Sequence, residues 1–149
     1  MPEKALPAAL PRVAGAYALT FRLDAETVLP IARLGFPALA SGLYVYAGSA
    51  RGPGGIAARV ARHLRAEKTP HWHVDHLSAR ADCVDVQAFP GGRECDVVSA
   101  LLAAGAVAPV PGFGSSDCRV CPAHLLRLTG DVRSARLPLS RKTAILRGD

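Results

Sequence analysis

The stretch from Gly42 to Arg65 constrains the fold more than any other part of the sequence. It begins with an apolar and aromatic run, Leu43–Ala47, which has the composition of a buried strand. A glycine-rich turn follows over residues 48–55, and an apolar residue then recurs at every fourth position, as on the buried face of a helix. The stretch therefore predicts a strand, a tight turn and a helix over residues 55–66.

One flank of this helix concentrates polar side chains. At about 100° per residue, Arg59, Arg62 and His63 fall together beside the apolar stripe. The tyrosines Tyr44 and Tyr46 lie on the preceding strand. Two guanidinium groups and an imidazole next to phenols favour an anion-binding site. The alternative is an amphipathic helix whose arginines are merely solvated.

Two common phosphate-binding designs do not fit this turn. A P-loop needs Lys-Ser or Lys-Thr directly after its glycines, and neither pair follows here. A dinucleotide fingerprint needs G-x-G-x-x-G with a downstream acidic residue, and that pattern is missing as well. We therefore expect neither a P-loop nor a dinucleotide-binding fold.

Length and charge limit the class of protein. The chain has 149 residues, half of them hydrophobic, which suits a single globular domain. A net charge of +6 and a pI near 9.6 suit a polyanion, most plausibly nucleic acid, although anionic membrane surfaces fit the charge too. No apolar run reaches about 20 residues and no secretory signal is evident, so we expect a cytoplasmic protein that does not span a membrane.

The remaining segments predict an α+β fold with a small, mainly antiparallel sheet flanked by helices. The predicted strands are Gly15–Leu23, Thr27–Leu34 with Pro30 at an edge, Asp82–Phe89 and His124–Leu128, and a second long helix covers Arg93–Ala104. We expect an N-terminal arm over residues 1–12, one domain over 13–130 and a basic tail over 131–149.

A histidine-rich segment, residues 68–77, contains the only tryptophan of the chain. Its histidines are not spaced like the ligands of a known zinc motif. We expect a short helix after Pro70 in which Trp72 and Leu77 pack inward. The histidines and Asp75 would then make hydrogen bonds.

A second group of metal-ligating residues lies near the C-terminal end of the domain. Cys118, Cys121 and His124, joined in the fold by Cys95 or Cys83, have the residue types of a tetrahedral zinc site. In a cytoplasmic protein we expect such cysteines to be thiols or metal ligands rather than disulfides. Buried thiols with no metal are the alternative.

Two short motifs resemble a known family. Gly15-Ala16-Tyr17 and Tyr46-Ala47-Gly48 are similar to the paired signatures of the GIY-YIG nuclease superfamily, and the arginine helix and a glutamate at a later helix start follow in the expected order. Across roughly residues 13–128, including the HWHVDHL and FGSSDC stretches, the chain most resembles the stand-alone Uri-type branch, long catalogued as a domain of unknown function.

This resemblance implies a DNA endonuclease that needs a divalent metal. The matched site residues are Tyr17, Tyr46, Arg59, His63 and Glu94. Glu94 would bind Mg²⁺ or Mn²⁺, although a carboxylate in the first turn of a helix is also favoured by the helix dipole alone. Relatives often carry a late asparagine, and this chain contains none, so either Ser115, Ser116 or Asp117 replaces its role or that role is absent.

The chemistry of phosphodiester hydrolysis fits these residues. Arg59 would hold the scissile phosphate through two parallel hydrogen bonds, and a tyrosine with His63 would orient or deprotonate water, with the choice of tyrosine open. The candidate substrate-binding residues are Gly48, Ser49, Arg51 and Arg62. We expect DNA more than RNA as the partner. The alternative function is a non-catalytic nucleic-acid-binding module, with zinc as its stabilising ion.

Overall fold

The computed structural model describes residues 10–65, 72–114 and 121–129, and the backbone of residues 144–146. Its strands are β1 (Gly15–Leu23), β2 (Thr27–Val28), β3 (Ala38–Leu39), β4 (Gly42–Ala50), β5 (Asp82–Pro90), β6 (Leu125–Arg127) and β7 (Ala144–Leu146). Its α-helices are α1 (Gly55–Leu64), α2 (His73–Ser78) and α3 (Glu94–Ala103). Within these ranges no helix is both long enough and apolar enough to cross a membrane.

A five-stranded sheet forms the middle layer of the domain. The strand order is β6-β4-β1-β5-β7, and every neighbouring pair is antiparallel. Strands β2 and β3 form a separate two-stranded ribbon. The predicted α+β fold with a small antiparallel sheet and flanking helices is therefore confirmed.

The alternation of β1 distributes its side chains between two cores. Tyr17, Leu19 and Phe21 point to the face that carries α1 and α2 and are at most 1 % exposed. Ala16 and Ala18 point to the opposite face, where Val97, Val98 and Leu101 of α3 pack. Small alanines on this second face leave room for α3 to approach the sheet closely.

The start of α1 is held by the chain that precedes β1. The backbone amides of Ile56 and Ala57 donate to the carbonyls of Val13 (2.9 Å) and Pro11 (2.8 Å). Gly55 has a φ of 60°, and a Cβ there would lie 2.3 Å from the Val13 carbonyl oxygen, so only glycine fits. Because these two amides are already bonded, an anion near α1 must rely on side chains.

The predicted strand over Thr27–Leu34 is wrong for most of its length. Only Thr27 and Val28 pair, and residues 32–34 form a turn of 3₁₀ helix that ends at Gly35 in the left-handed region. Pro30 has no backbone N–H, so it cannot extend the pairing. The Leu29 amide donates to Pro37 instead, which closes the segment on itself.

The other predicted elements lie close to their observed bounds. Strands β1 and β5, helices α1 and α3, and strand β6 all occur where the sequence predicts them, within a few residues at each end. Strand β4 is longer than the predicted apolar run and reaches Ala50. Part of the basic tail, Ala144–Leu146, forms β7 and pairs with Val86–Ala88 of β5.

Candidate functional site

Three aromatic rings form the centre of the candidate site. The ring centroid of Tyr17 lies 6.4 Å from that of Tyr46 and 5.7 Å from that of His63, and Tyr46 and His63 are 5.9 Å apart. The strand register explains the position of Tyr17, because its partner on β4 is Gly48. A Cβ at Gly48 would lie 2.4 Å from the Tyr17 hydroxyl oxygen, so this glycine makes the space that the tyrosine fills.

A chain of buried hydrogen bonds runs from Tyr17 to helix α2. The Tyr17 hydroxyl lies 2.7 Å from Nε2 of His63, and Nδ1 of His63 lies 3.2 Å from Oδ1 of Asp75. A carboxylate can only accept, so Nδ1 carries the hydrogen and Nε2 accepts from the tyrosine. We call these three residues the Tyr17–His63–Asp75 network. Its geometry allows a proton to pass from the phenol to the imidazole.

Asp75 is the functional candidate that the sequence did not single out. It is 0 % exposed, and its Oδ2 accepts from Arg62 (3.0 Å) and from the Trp72 backbone amide (2.9 Å). The bond to Trp72 also caps the first turn of α2. The only sequence signal for this role is an acidic residue in the first turn of a helix that follows a proline.

Burial controls the protonation of this network. Desolvation raises the pKa of Tyr17 and of Tyr46 well above the usual phenol range, and the charge of Arg59 opposes both shifts. Desolvation also lowers the pKa of His63, against the opposing effect of its hydrogen bond to Asp75. At neutral pH both phenols therefore carry their protons and the imidazole is neutral.

The two predicted arginines occupy different positions. Arg59 donates from Nη1 to the Ser49 carbonyl (3.1 Å), and its guanidinium lies near enough to Tyr17 to oppose the rise in the pKa of that phenol. Arg62 forms an ion pair with the buried Asp75. Both guanidinium groups lie over the ring of Trp72, at 4.6 Å for Arg59 and 4.4 Å for Arg62. Arg59 thus faces the tyrosines, whereas Arg62 supports the aspartate.

Glu94 is the first residue of α3 and is half-buried. Its Oε2 is buried and has no hydrogen-bond partner among the described residues. Its negative charge is one of the lesser causes, after desolvation, that raise the pKa of Tyr46. A carboxylate oxygen that is buried without a protein donor suits a hard cation such as Mg²⁺ or Mn²⁺.

A cluster of potential sulfur and nitrogen ligands includes the residue that follows Glu94 in the chain. One ligand atom from each of Cys95, Cys121 and His124 falls within 4.8 Å of the other two. The remaining predicted zinc ligand, Cys118, lies outside the described residues, as do Ser115, Ser116 and Asp117. The alternative ligand Cys83 is on β5, paired with Phe21, and is not among the clustered residues.

The other predicted substrate-binding residues surround the turn before α1. Ser49 is half-buried at the end of β4 and accepts from Arg59 through its carbonyl. Arg51 is exposed on the turn. The histidine-rich segment behaves as predicted where it is described, because Leu77 is fully buried and His73 accepts from the Gly114 amide (2.8 Å).

Fold and site together define a small α+β domain that buries a tyrosine–histidine–aspartate network beside an arginine, with a glutamate nearby of which one buried oxygen has no partner among the described residues. A family model matches residues 16–143, and the chain belongs to that family, described as the domain of unknown function DUF123. No curated protein and no solved structure matches the chain.

Proposed function

We propose that the protein is a divalent-metal-dependent DNA endonuclease with a site of GIY-YIG type. The observation that carries the proposal is the convergence of two tyrosines, His63 and Arg59, with Glu94 near enough to Tyr46 to raise the pKa of its phenol. One buried oxygen of this glutamate has no partner among the described residues. The motifs around Tyr17 and Tyr46 and the basic charge of the chain support the same class of substrate.

The hydrogen-bonding pattern favours Tyr17 as the group that takes the proton from water. Its raised pKa makes a free phenolate a poor starting state at neutral pH. Tyr17 can instead accept the proton of the attacking water while its own proton moves to Nε2 of His63. Asp75 then stabilises the imidazolium, so no buried charge is left without a partner.

The reaction that results is hydrolysis of a phosphodiester. The water oxygen bonds to phosphorus, the bond from phosphorus to the leaving sugar oxygen breaks, and that oxygen leaves with the bonding electrons and takes up a proton. Arg59 would bind the phosphoryl oxygens, whose negative charge grows in the transition state. Glu94 would hold Mg²⁺ or Mn²⁺, which supplies Lewis-acid stabilisation of the same charge.

The alternative function is a nucleic-acid-binding module with no turnover. Such a module would use the same basic surface, and a zinc ion at Cys95, Cys121 and His124 would stabilise its fold as it would that of a nuclease. Binding by either kind of protein should weaken steeply as salt increases, because phosphates are neutralised by the basic surface. Affinity alone therefore does not separate the two functions.

Cleavage assays separate them. The purified chain is incubated with single-stranded, duplex and branched DNA and with RNA, in Mg²⁺, in Mn²⁺ and in EDTA. We expect metal-dependent cleavage of DNA that falls by about 10²–10³-fold in Arg59→Ala, because a donor to the developing charge is lost. The matched control is Arg22→Ala, which removes an exposed arginine from the far end of β1. Binding of DNA with no cleavage under any condition would overturn the proposal and favour the binding module.

A further inference from the structure

We propose that Cys95, Cys121 and His124 bind a zinc ion that ties the start of α3 to the segment preceding β6. The three side chains come from two separate parts of the chain, Cys95 from α3 and the other two from the segment before β6, and their ligand atoms all lie within 4.8 Å of one another. None of the three described cysteines is in a disulfide. Two sulfurs and an imidazole nitrogen at this separation match the donor types of known zinc sites.

The burial and hydrogen bonding of His124 are independent evidence for a bound ligand. Its side chain is 6 % exposed, and its Nε2 is buried with no hydrogen-bond partner among the described residues. Buried polar atoms in folded proteins normally have partners, and an exception calls for an ion or another bound group. A metal ion bound to this imidazole would remove the exception.

The backbone holds His124 in place before any ion binds. Its amide donates to the Phe113 carbonyl (2.7 Å), and its carbonyl accepts from Ala47 on β4 (2.9 Å). The nearby Pro122 carbonyl accepts from Gly112 (2.9 Å). Cys95 is equally fixed because it lies in the first turn of α3. A site on such rigid supports loses little conformational freedom on binding.

The donor set selects the metal. Thiolates and imidazole are soft or intermediate ligands that favour zinc, whereas Mg²⁺ takes oxygen. The cluster is therefore a different site from the Glu94 carboxylate, although Glu94 and Cys95 are adjacent. Three ligands leave one tetrahedral position for water or a further side chain. An ion here would fix the helix turn that carries Glu94.

The test measures metal and does not depend on cleavage. The full chain is produced in zinc-supplemented medium, purified under reducing conditions with no metal-affinity step, and analysed by atomic emission. We expect about one zinc per chain, and replacement by Co²⁺ should give a thiolate-to-cobalt charge-transfer band together with the intense visible d–d bands of a tetrahedral site. Both signals should be lost in Cys121→Ser and retained in the matched control Cys83→Ser.

A histidine variant covers the risk that truncation unfolds the chain. His124→Cys supplies a thiolate in place of the imidazole, so it should still bind zinc and should strengthen the cobalt charge-transfer band. A purely structural histidine would give no such change. The proposal is overturned if the reduced wild-type chain neither retains nor takes up zinc, if Cys121→Ser binds as well as the wild type, or if Cys95 and Cys121 are found as a disulfide.

Discussion

Two polar regions lie near Tyr46, and they differ in how their polar atoms are bonded. The Tyr17–His63–Asp75 network satisfies its polar atoms within the protein, since each member bonds the next and Asp75 also accepts from Arg62 and Trp72. At the start of α3 and in the segment before β6 the opposite holds, because Oε2 of Glu94 and Nε2 of His124 are buried with no hydrogen-bond partner among the described residues. The polar atoms of the first region are thus bonded to one another, whereas two buried polar atoms of the second are the ones to which we have proposed that metal ions bind.

The largest effect expected from this contrast is on stability, in the completed network. Asp75→Ala removes the acceptor of three hydrogen bonds and should destabilise the fold by about 3–5 kcal/mol, as for a broken buried pair. The measurement is chemical denaturation. The control Asp24→Ala breaks an exposed ion pair with Arg22 and should cost at most about 1 kcal/mol. Equal losses in the two variants would show that the buried network stabilises the fold no more than an exposed ion pair does.

Replacing Glu94 should impair cleavage strongly and change the stability of the fold little, unlike the replacement of Asp75. Glu94→Ala is expected to lower metal-dependent cleavage by about 10²–10³-fold, because the transition-state charge loses its stabilising ion. Its free energy of unfolding should change by less than about 1 kcal/mol, since no protein hydrogen bond is lost and the small helix-dipole term is offset by removing a buried unpaired oxygen.

Asp96 provides the matched control for Glu94. It lies in the same first turn of α3 but is exposed. Asp96→Ala should leave both cleavage and stability nearly unchanged, with a helix-dipole effect of about 0.3–1 kcal/mol. Unimpaired cleavage in Glu94→Ala would show that this carboxylate has no part in the reaction, even if the chain is a nuclease.

A pH profile sharpens the role assigned to His63. Its environment contains Tyr17 on β1, Tyr46 on β4, Asp75 on α2, and Arg59 and Arg62 on its own helix. Burial lowers the pKa of His63 below its ordinary value of 6.5. Only the neutral ring accepts the Tyr17 proton, so kcat/KM should fall by about tenfold per pH unit once the pH drops below the lowered pKa.

The lowered pKa of His63 also determines how the stability of the fold changes with pH. The unfolded chain binds a proton at His63 more readily than the folded chain, so the contribution of this residue is complete above pH 6.5 and declines as the pH falls toward the lowered folded value. His76→Ala is the control, and the pH profile of its kcat/KM should match that of the wild type. An acid limb above pH 6.5 would contradict the assignment of His63.

The smallest expected effect concerns an unpartnered group that no proposed site uses. Gln87 is 1 % exposed, and neither atom of its amide has a hydrogen-bond partner among the described residues. Gln87→Met keeps the volume and removes the unpaired amide, so it should stabilise the fold by about 1 kcal/mol and leave cleavage and zinc content unchanged. Thermal denaturation measures the gain. A loss of cleavage would place Gln87 in the function.

The sequence predicts the parts of this protein that depend on local pattern. A high content of β-forming residues predicts β1, an apolar residue at every fourth position predicts α1, and the helical spacing of apolar residues after Glu94 predicts α3. The same kind of reasoning failed at Thr27–Leu34, where β-forming composition was outweighed by the missing amide of Pro30. Local composition does not show which segments find a pairing partner.

The contacts between residues far apart in the sequence were harder to predict. The bond between His63 and Asp75 joins two helices, and nothing in the spacing of the histidine-rich segment identifies Asp75 as the partner of a helix histidine. The sequence also did not decide whether Cys95 or Cys83 lies near Cys121 and His124. That depends on how α3 packs on the sheet, and the structure brings Cys95 to the cluster. Residue types suggest such a site, and only the packing selects its members.

Trp72 gives this molecule a built-in optical reporter. It is the only tryptophan in the chain, two guanidinium groups lie over its ring, and the His63 ring meets its edge at 5.4 Å. The intrinsic fluorescence of the whole protein therefore comes from one indole inside the candidate site. Displacement of Arg59 by a bound phosphate, or protonation of His63, would alter emission directly. Ligand binding and titration can thus be followed on the unlabelled, unmodified chain.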